Sequence, residues 1–152
     1  MTNLATIYAT ADDRSHEQIV GDVITASWPQ VELFPTPKFF PFDFHVIRTY
    51  NRKSSDYLGG LEVKWFNHDS SRAGVFNYNK LLQLIAMTLH RDDPTCHHRI
   101  AFRYTDGILI VPARELTKYK PEVFTRRDTT ETDLVVRVVR DDLSGAWIDV
   151  QT

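Results

Sequence analysis

Three charged residues stand inside apolar stretches of this chain. Asp43 lies between two phenylalanines, and Glu62 and Lys64 lie in a run of Leu, Val, Trp and Phe. Charges in such surroundings are costly unless they are paired or bound to a metal. The sequence therefore leaves two alternatives open: a structural ion pair between Lys64 and one of the acids, or a site at which two carboxylates hold a divalent cation.

Two predicted strands would bring these residues together. Residues 42–47 alternate between apolar and polar side chains, and residues 58–66 are typical of a second strand. If the strands form a hairpin that reverses at the polar turn between them, Asp43 lies opposite the segment that holds Glu62 and Lys64. Glu62 and Lys64 share one face of their strand, because neighbouring side chains point to opposite faces.

Asp56 is a rival acid, since it stands six residues before Glu62. Six residues of extended strand span roughly 20 Å. Two carboxylates that share one Mg²⁺ must each approach it to about 2 Å. Asp56 could share a metal with Glu62 only if the chain bends sharply at Gly59-Gly60, so we expect Asp43 to be the partner.

The remaining patterns predict an α/β or α+β domain with a mixed central β-sheet flanked by helices. A first helix is expected over residues 15–27, where Ser15 and Gln18 form a capping box. A second helix is expected to begin at Asn77 as its N-cap and to end near residue 92. Residues 35–41 are expected to be extended or looped, and residues 114–119 are expected to form a short helix. Three further strands are expected at residues 100–104, 108–111 and 134–139.

The composition is that of one ordinary globular domain over residues 1–152, with 42% apolar and 25% charged residues. A single cysteine gives no disulfide framework, and neither a secretory signal nor a membrane span is apparent, so we expect a cytoplasmic protein. The net charge of −2 argues against bulk coating of nucleic acid. Residues 47–127 nevertheless carry 14 Lys or Arg against 8 Asp or Glu, which leaves a polyanionic partner open.

This arrangement resembles the catalytic core of the PD-(D/E)XK nuclease superfamily, which has the restriction-endonuclease-like fold. The resemblance covers about residues 15–90 in the order helix, strand, strand, helix, and it implies a catalytic core of about residues 15–112. The residues that carry it are Pro41-Phe42-Asp43 and Glu62-Val63-Lys64. Here Phe42 separates the proline from the acid, so the first half of the motif is relaxed.

The resemblance implies a metal-dependent DNA endonuclease that hydrolyses phosphodiester bonds, with Asp43, Glu62 and Lys64 as its catalytic residues. Asp43, Glu62 and the carbonyl of Val63 would hold Mg²⁺, or Mn²⁺ in its place, while Lys64 positions or deprotonates the attacking water. Cutting both strands of a duplex needs two active sites, so we expect a homodimer or a higher homo-oligomer. Restriction, homing, junction resolution and phage genome processing stay open as roles. The alternative is a non-catalytic module that binds nucleic acid or a protein, with a structural ion pair at the same positions.

Several further residues are weaker candidates. Glu17 on the first helix and Lys80 or Gln83 on the second would support the site if the resemblance holds, although an exposed helix face is the simpler interpretation of each. Three basic residues in the hairpin tip and in the loop before the second helix are candidates for contacts with backbone phosphates: Arg52, Lys53 and Arg72.

The histidines and the cysteine do not predict a zinc site. Their clustered members match no familiar spacing of paired metal ligands: His90, Cys96, His97 and His98. His45 is expected on the same face as Asp43, and we interpret it as a half-buried polar partner.

Overall fold

The computed structural model describes residues 11–51, 54–88, 96–125 and 132–150, the side chains at positions 11–14, 51 and 88 excepted. Within these ranges the helices α1 and α2 are Ala11–Ser27 and Tyr78–Thr88. Two short 3₁₀ helices lie at Ala113–Lys118 and Arg140–Asp142. The strands β1 to β9 are Val31–Pro35, Phe44–Asn51, Ser54–Trp65, Gly74–Asn77, Arg99–Arg103, Gly107–Pro112, Glu122–Thr125, Thr132–Val138 and Ala146–Asp149. None of the described helices is long and apolar enough to cross a membrane.

A six-stranded mixed sheet forms the centre of the molecule. Its strand order is β1-β2-β3-β5-β6-β9, in which β3 and β5 run parallel and the other neighbours run antiparallel. A smaller antiparallel sheet has the order β4-β8-β7. The mixed central sheet predicted from the sequence is therefore present.

The two helices pack on opposite faces of the large sheet. This follows from β5, whose successive residues point to opposite faces and belong to different apolar clusters. Ala101 packs in the cluster that contains Val20 and Ile24 of α1, whereas Phe102 packs in the cluster that contains Leu81 and Leu84 of α2. All of these side chains are buried. Burial of one apolar stripe on each helix fixes both helices against the sheet that carries the charged residues.

The β2–β3 hairpin has the register that the strand pattern predicts. Phe44 pairs with Leu61 and Val46 pairs with Gly59, after which Leu58 has no partner on β2, a β-bulge. Gly59 has a φ of 107°, and a Cβ there would collide with the His97 carbonyl, so this position requires glycine.

Gly60 fixes the chain just before Asp43. A Cβ at Gly60 would lie 2.5 Å from ring atoms of Phe42, so the ring packs directly on the glycine backbone. Phe42 is buried. The close approach holds the segment that leads into β2, and with it the position of Asp43.

Some elements differ from those expected. The first helix begins at Ala11, so Ser15 lies inside it; no proline or glycine separates the two, and nothing stops the helix from extending by a turn. The segment expected to be extended or looped begins with Pro35, the last residue of β1, and this agrees with the expectation because proline is tolerated in an edge strand. The strands β1, β4, β7 and β9 and the 3₁₀ helix at Arg140–Asp142 were not predicted. The expected end of the second helix near residue 92 lies outside the described residues.

Candidate active site

Asp43 lies directly before β2, beside the part of β3 that continues beyond its last pair with β2. The last pair of the hairpin is Phe44 with Leu61. The Asp43 N–H donates to the Leu61 carbonyl at 2.9 Å, and Asp43 Oδ2 accepts the N–H of Val63 at 2.7 Å. These two bonds hold the carboxyl group against the backbone on both sides of Glu62.

Glu62 is a half-buried acid whose oxygen Oε2 is buried and lacks a hydrogen bond among the described residues. Its side chain is 15% exposed, and Lys80 Nζ lies 3.4 Å from Oε2. Within the described part of the chain, Oε2 has no hydrogen-bond partner. Lys80 is held in the first turn of α2, because its N–H donates to Oδ1 of the N-cap Asn77 at 2.9 Å. A single ammonium group therefore faces a carboxylate that has capacity for another cation or donor.

Glu17 of α1 completes a group of acids. The side chains of Glu17 and Glu62 lie within hydrogen-bonding reach of the Asp43 carboxyl group, a contact that requires one of the groups to carry a proton. We call Glu17, Asp43 and Glu62, with Lys80, the carboxylate cluster. Lys64 follows Glu62 on the same face of β3 and is exposed. Elements from three parts of the chain thus bring these charged groups together.

Burial governs the protonation of the cluster. It raises the pKa of Asp43, against the opposing effects of the Val63 N–H, Glu17, Lys80 and Glu62. Burial, together with the charge of Asp43, raises the pKa of Glu62 well above its ordinary value of 4.5, against the opposing charge of Lys80. Neighbouring buried carboxylates repel one another, so the cluster favours binding a proton or a cation.

The residues present fit a hard divalent cation. The buried Oε2 of Glu62 has no hydrogen bond among the described residues, and a second carboxylate lies beside it. Across those same residues no group of three or more His, Cys, Asp or Glu is arranged to hold a metal. A cation here would rely on two carboxylates, main-chain oxygen and water, which is a common environment for Mg²⁺.

Glu62→Gln is expected to stabilise the metal-free protein at pH 7 by about 1–2 kcal/mol, the order of the cost of an unsatisfied buried group. Because folding raises the pKa of Glu62, its ionisation destabilises the fold as the pH rises above 4.5. The stability difference should vanish near pH 4, where Glu62 is protonated in both the folded and the unfolded state. Thermal melts in EDTA at the two pH values measure it.

The matched control is Glu32→Gln, at an exposed position of β1, which should change the melting temperature little at either pH. Mg²⁺ should raise the melting temperature of the wild type and leave that of Glu62→Gln almost unchanged. A Glu62→Gln protein that is less stable than the wild type at pH 7 in EDTA would contradict this account of the buried acid.

The other predicted residues lie in different surroundings. Asp56 is paired with Arg48 at 3.7 Å, at the far end of the hairpin from Glu62. Gln83 is exposed on α2, and Arg72 is exposed in the loop before β4. Arg52 and Lys53 lie outside the described residues.

The histidines have structural contacts. His45 is half-buried, and its Nδ1 lies 2.8 Å from the Tyr57 hydroxyl, in agreement with its interpretation as a polar partner. His98 is buried, and its Nδ1 accepts the N–H of Gly60 at 2.8 Å. Cys96 is buried as well. His90 lies outside the described residues.

Lys80 lies closer to the site than its sequence pattern indicated. Its pairing with Glu62 replaces the simpler interpretation of an exposed helix face. The helical period contains a signal for it, because Lys80 is four residues before the fully buried Leu84 and so lies on the inward side of α2. Its ammonium group extends from that side to the buried acid.

Comparisons with known proteins support the fold. Neither a protein-family model nor a curated protein sequence matches this chain. Among solved structures, it is similar to Hjc, a Holliday junction resolvase of the archaeal hyperthermophile Archaeoglobus fulgidus, with a TM-score of 0.51 at 12% identity. The match covers 86% of this chain and 91% of Hjc. Hjc is a PD-(D/E)XK, restriction-endonuclease-like protein, so the fold predicted from the sequence is confirmed.

Proposed function

We propose that this chain, with its restriction-endonuclease-like fold, is a metal-dependent DNA endonuclease that hydrolyses phosphodiester bonds. The observation that carries the proposal is the position of Asp43, bonded to the backbone of β3 beside the buried Glu62. The second candidate class is a non-catalytic module that binds nucleic acid or a protein, with a structural ion pair at the same positions, and the ion pair between Glu62 and Lys80 is compatible with it.

Each residue of the site would have a distinct role. Asp43, Glu62 and the carbonyl of Val63 would hold Mg²⁺ or Mn²⁺. When bound, such an ion polarises the phosphoryl oxygen and lowers the pKa of water. Lys64, exposed beside Glu62, would position the attacking water and stabilise the charge that develops on the phosphate.

Lys80 and Glu17 would have supporting roles. Lys80 offsets the charge of Glu62 at 3.4 Å, and where a cation offsets that charge instead, its ammonium group would be available to a bound phosphate. Glu17 lies within hydrogen-bonding reach of Asp43 and would orient its carboxyl group. The resulting site concentrates positive charge where a phosphodiester gains negative charge.

The substrate to test first is branched DNA, because the structural relative is a Holliday junction resolvase. Cutting two strands of such a substrate requires two active sites, so the proposal includes a homodimer. Linear duplex of the same sequence and supercoiled plasmid serve as the comparison substrates.

Cleavage is expected in Mg²⁺ or Mn²⁺, and EDTA should lower its rate at least about a thousandfold, which corresponds to the loss of several kcal/mol of transition-state stabilisation. The measurement is a gel time course on labelled four-way junction, duplex and plasmid with each metal and with EDTA. Equal cleavage in EDTA would contradict a metal-dependent mechanism. Binding without cleavage under every metal would favour the binding module.

A further inference from the structure

A second polar cluster lies beside the carboxylate cluster. The rings of His16 and Trp65 stack, with their centroids 4.0 Å apart and their planes at 11°. Arg103 pairs with Trp65 across the parallel strands β5 and β3, and its Nη1 donates to His16 Nδ1. His16 precedes Glu17 in the chain, and Trp65 follows Lys64. We call these three residues the His16–Trp65–Arg103 cluster.

The charge of Arg103 is not neutralised by this contact. Arginine can only donate, so Nδ1 of His16 accepts the bond and carries no proton there. No carboxylate of the described residues forms an ion pair with Arg103. A guanidinium has five N–H donors, of which this bond uses one. Among the described residues, the half-buried Arg103 is therefore a cation that is held in place by His16 and is not paired with an acid.

A DNA strand needs such a cation near this site. The carboxylate cluster contains three acids, which repel phosphates that flank the one being cleaved. His16 directly precedes Glu17 on α1, and Trp65 directly follows Lys64 at the end of β3, so the backbones of the two clusters adjoin. Trp65 projects from the face of β3 opposite to Glu62 and Lys64, because neighbouring side chains alternate, and the two clusters therefore flank the end of β3 from opposite faces.

We infer that the His16–Trp65–Arg103 cluster is a binding site for the DNA strand beside the cleaved phosphate. Arg103 binds a backbone phosphate, and Trp65, which is 36% exposed, contacts the adjoining sugar or base. His16 holds both side chains in place through its ring stack and its hydrogen bond. The inference rests on the proposed function, since it assumes that DNA reaches the carboxylate cluster.

A purely structural role for Arg103, as a support for α1 through His16, makes a different prediction. Loss of such a support lowers the melting temperature and leaves the number of phosphates contacted unchanged. Loss of a phosphate contact reduces the salt dependence of DNA binding, because one fewer counterion is released. The salt slope therefore separates the two roles.

The test is DNA binding in EDTA, which prevents cleavage, with a labelled four-way junction and a duplex at several salt concentrations. Arg103→Ala should raise the Kd about tenfold and lower the salt slope by about one. Arg103→Gln, which keeps a donor for His16, should behave similarly if folding is retained. Arg137→Ala is the matched control, because Arg137 is an exposed arginine on the smaller sheet, paired with Glu122.

The outcomes separate this inference from the proposed function. Wild-type cleavage in Mg²⁺ together with an unchanged Kd and salt slope for both Arg103 variants would overturn the inference alone. A wild-type protein that binds DNA with a slope sensitive to Arg103, yet never cleaves, would support the inference and overturn the nuclease proposal. Absence of both binding and cleavage in the wild type would overturn both.

Discussion

Asp43→Asn is expected to lower the rate of DNA cleavage in Mg²⁺ by at least about a thousandfold, or about 4 kcal/mol of transition-state stabilisation. Asparagine keeps an oxygen that can accept the N–H of Val63, so the local fold should remain. It removes the negative charge that the proposed metal site requires. Single-turnover cleavage of the preferred DNA substrate measures the effect.

Asp56→Asn is the matched control, since it makes the same chemical change on the same hairpin at a residue paired with Arg48. We expect its cleavage rate to stay within about threefold of the wild type, as for a surface substitution outside the site. Thermal melts should show that both variants are folded. A fully active Asp43→Asn protein would exclude Asp43 from the metal site, and equal losses in both variants would point to a general effect of the hairpin.

Lys64→Ala is expected to lower the cleavage rate by about 10²–10⁴-fold, the range typical of a lost general acid–base or charge-stabilising group. Lys64 is exposed, so the fold should tolerate the change. Because Asp43 and Glu62 remain, Mg²⁺ should still raise the melting temperature of the variant. The rate and the metal-induced stabilisation are measured on the same preparation.

Lys120→Ala removes another exposed lysine and should leave the cleavage rate unchanged. Wild-type cleavage by Lys64→Ala would point to another catalytic group or to a contaminating nuclease. Loss of both cleavage and metal-induced stabilisation would assign Lys64 to the integrity of the site rather than to the chemical step.

The hairpin that positions Asp43 could be predicted because its signals are local. Alternating burial along β2 and a polar turn fix the register, and the register places residue 43 opposite residue 62. The bulge at Leu58 was not predictable, because it depends on Gly59 approaching the distant His97. The strands β4, β7 and β9 have four residues each, so a short window shows no period. β4 and β9 also gain their hydrogen bonds from partners far along the chain, whereas β7 pairs with β8, the next strand.

The contributions of the helices to the site were harder to infer. Glu17 and Lys80 reach the acids because α1 and α2 pack on opposite faces of one sheet, which is a tertiary relation. The His16–Trp65–Arg103 cluster has the same origin, since it joins one helix and two parallel strands. Sequence spacing does not predict a contact between residues 87 positions apart, such as the one between His16 and Arg103.

The most direct test of the central claim is a crystal structure of the protein grown or soaked with Mn²⁺, with anomalous scattering used to locate the metal. The account predicts a metal peak within about 2.2 Å of one carboxylate oxygen of Asp43 and one of Glu62, with Lys80 moved away from Glu62 Oε2. A well-occupied metal elsewhere, or a Glu62–Lys80 pair that persists at saturating Mn²⁺ with no metal beside Asp43, would contradict it.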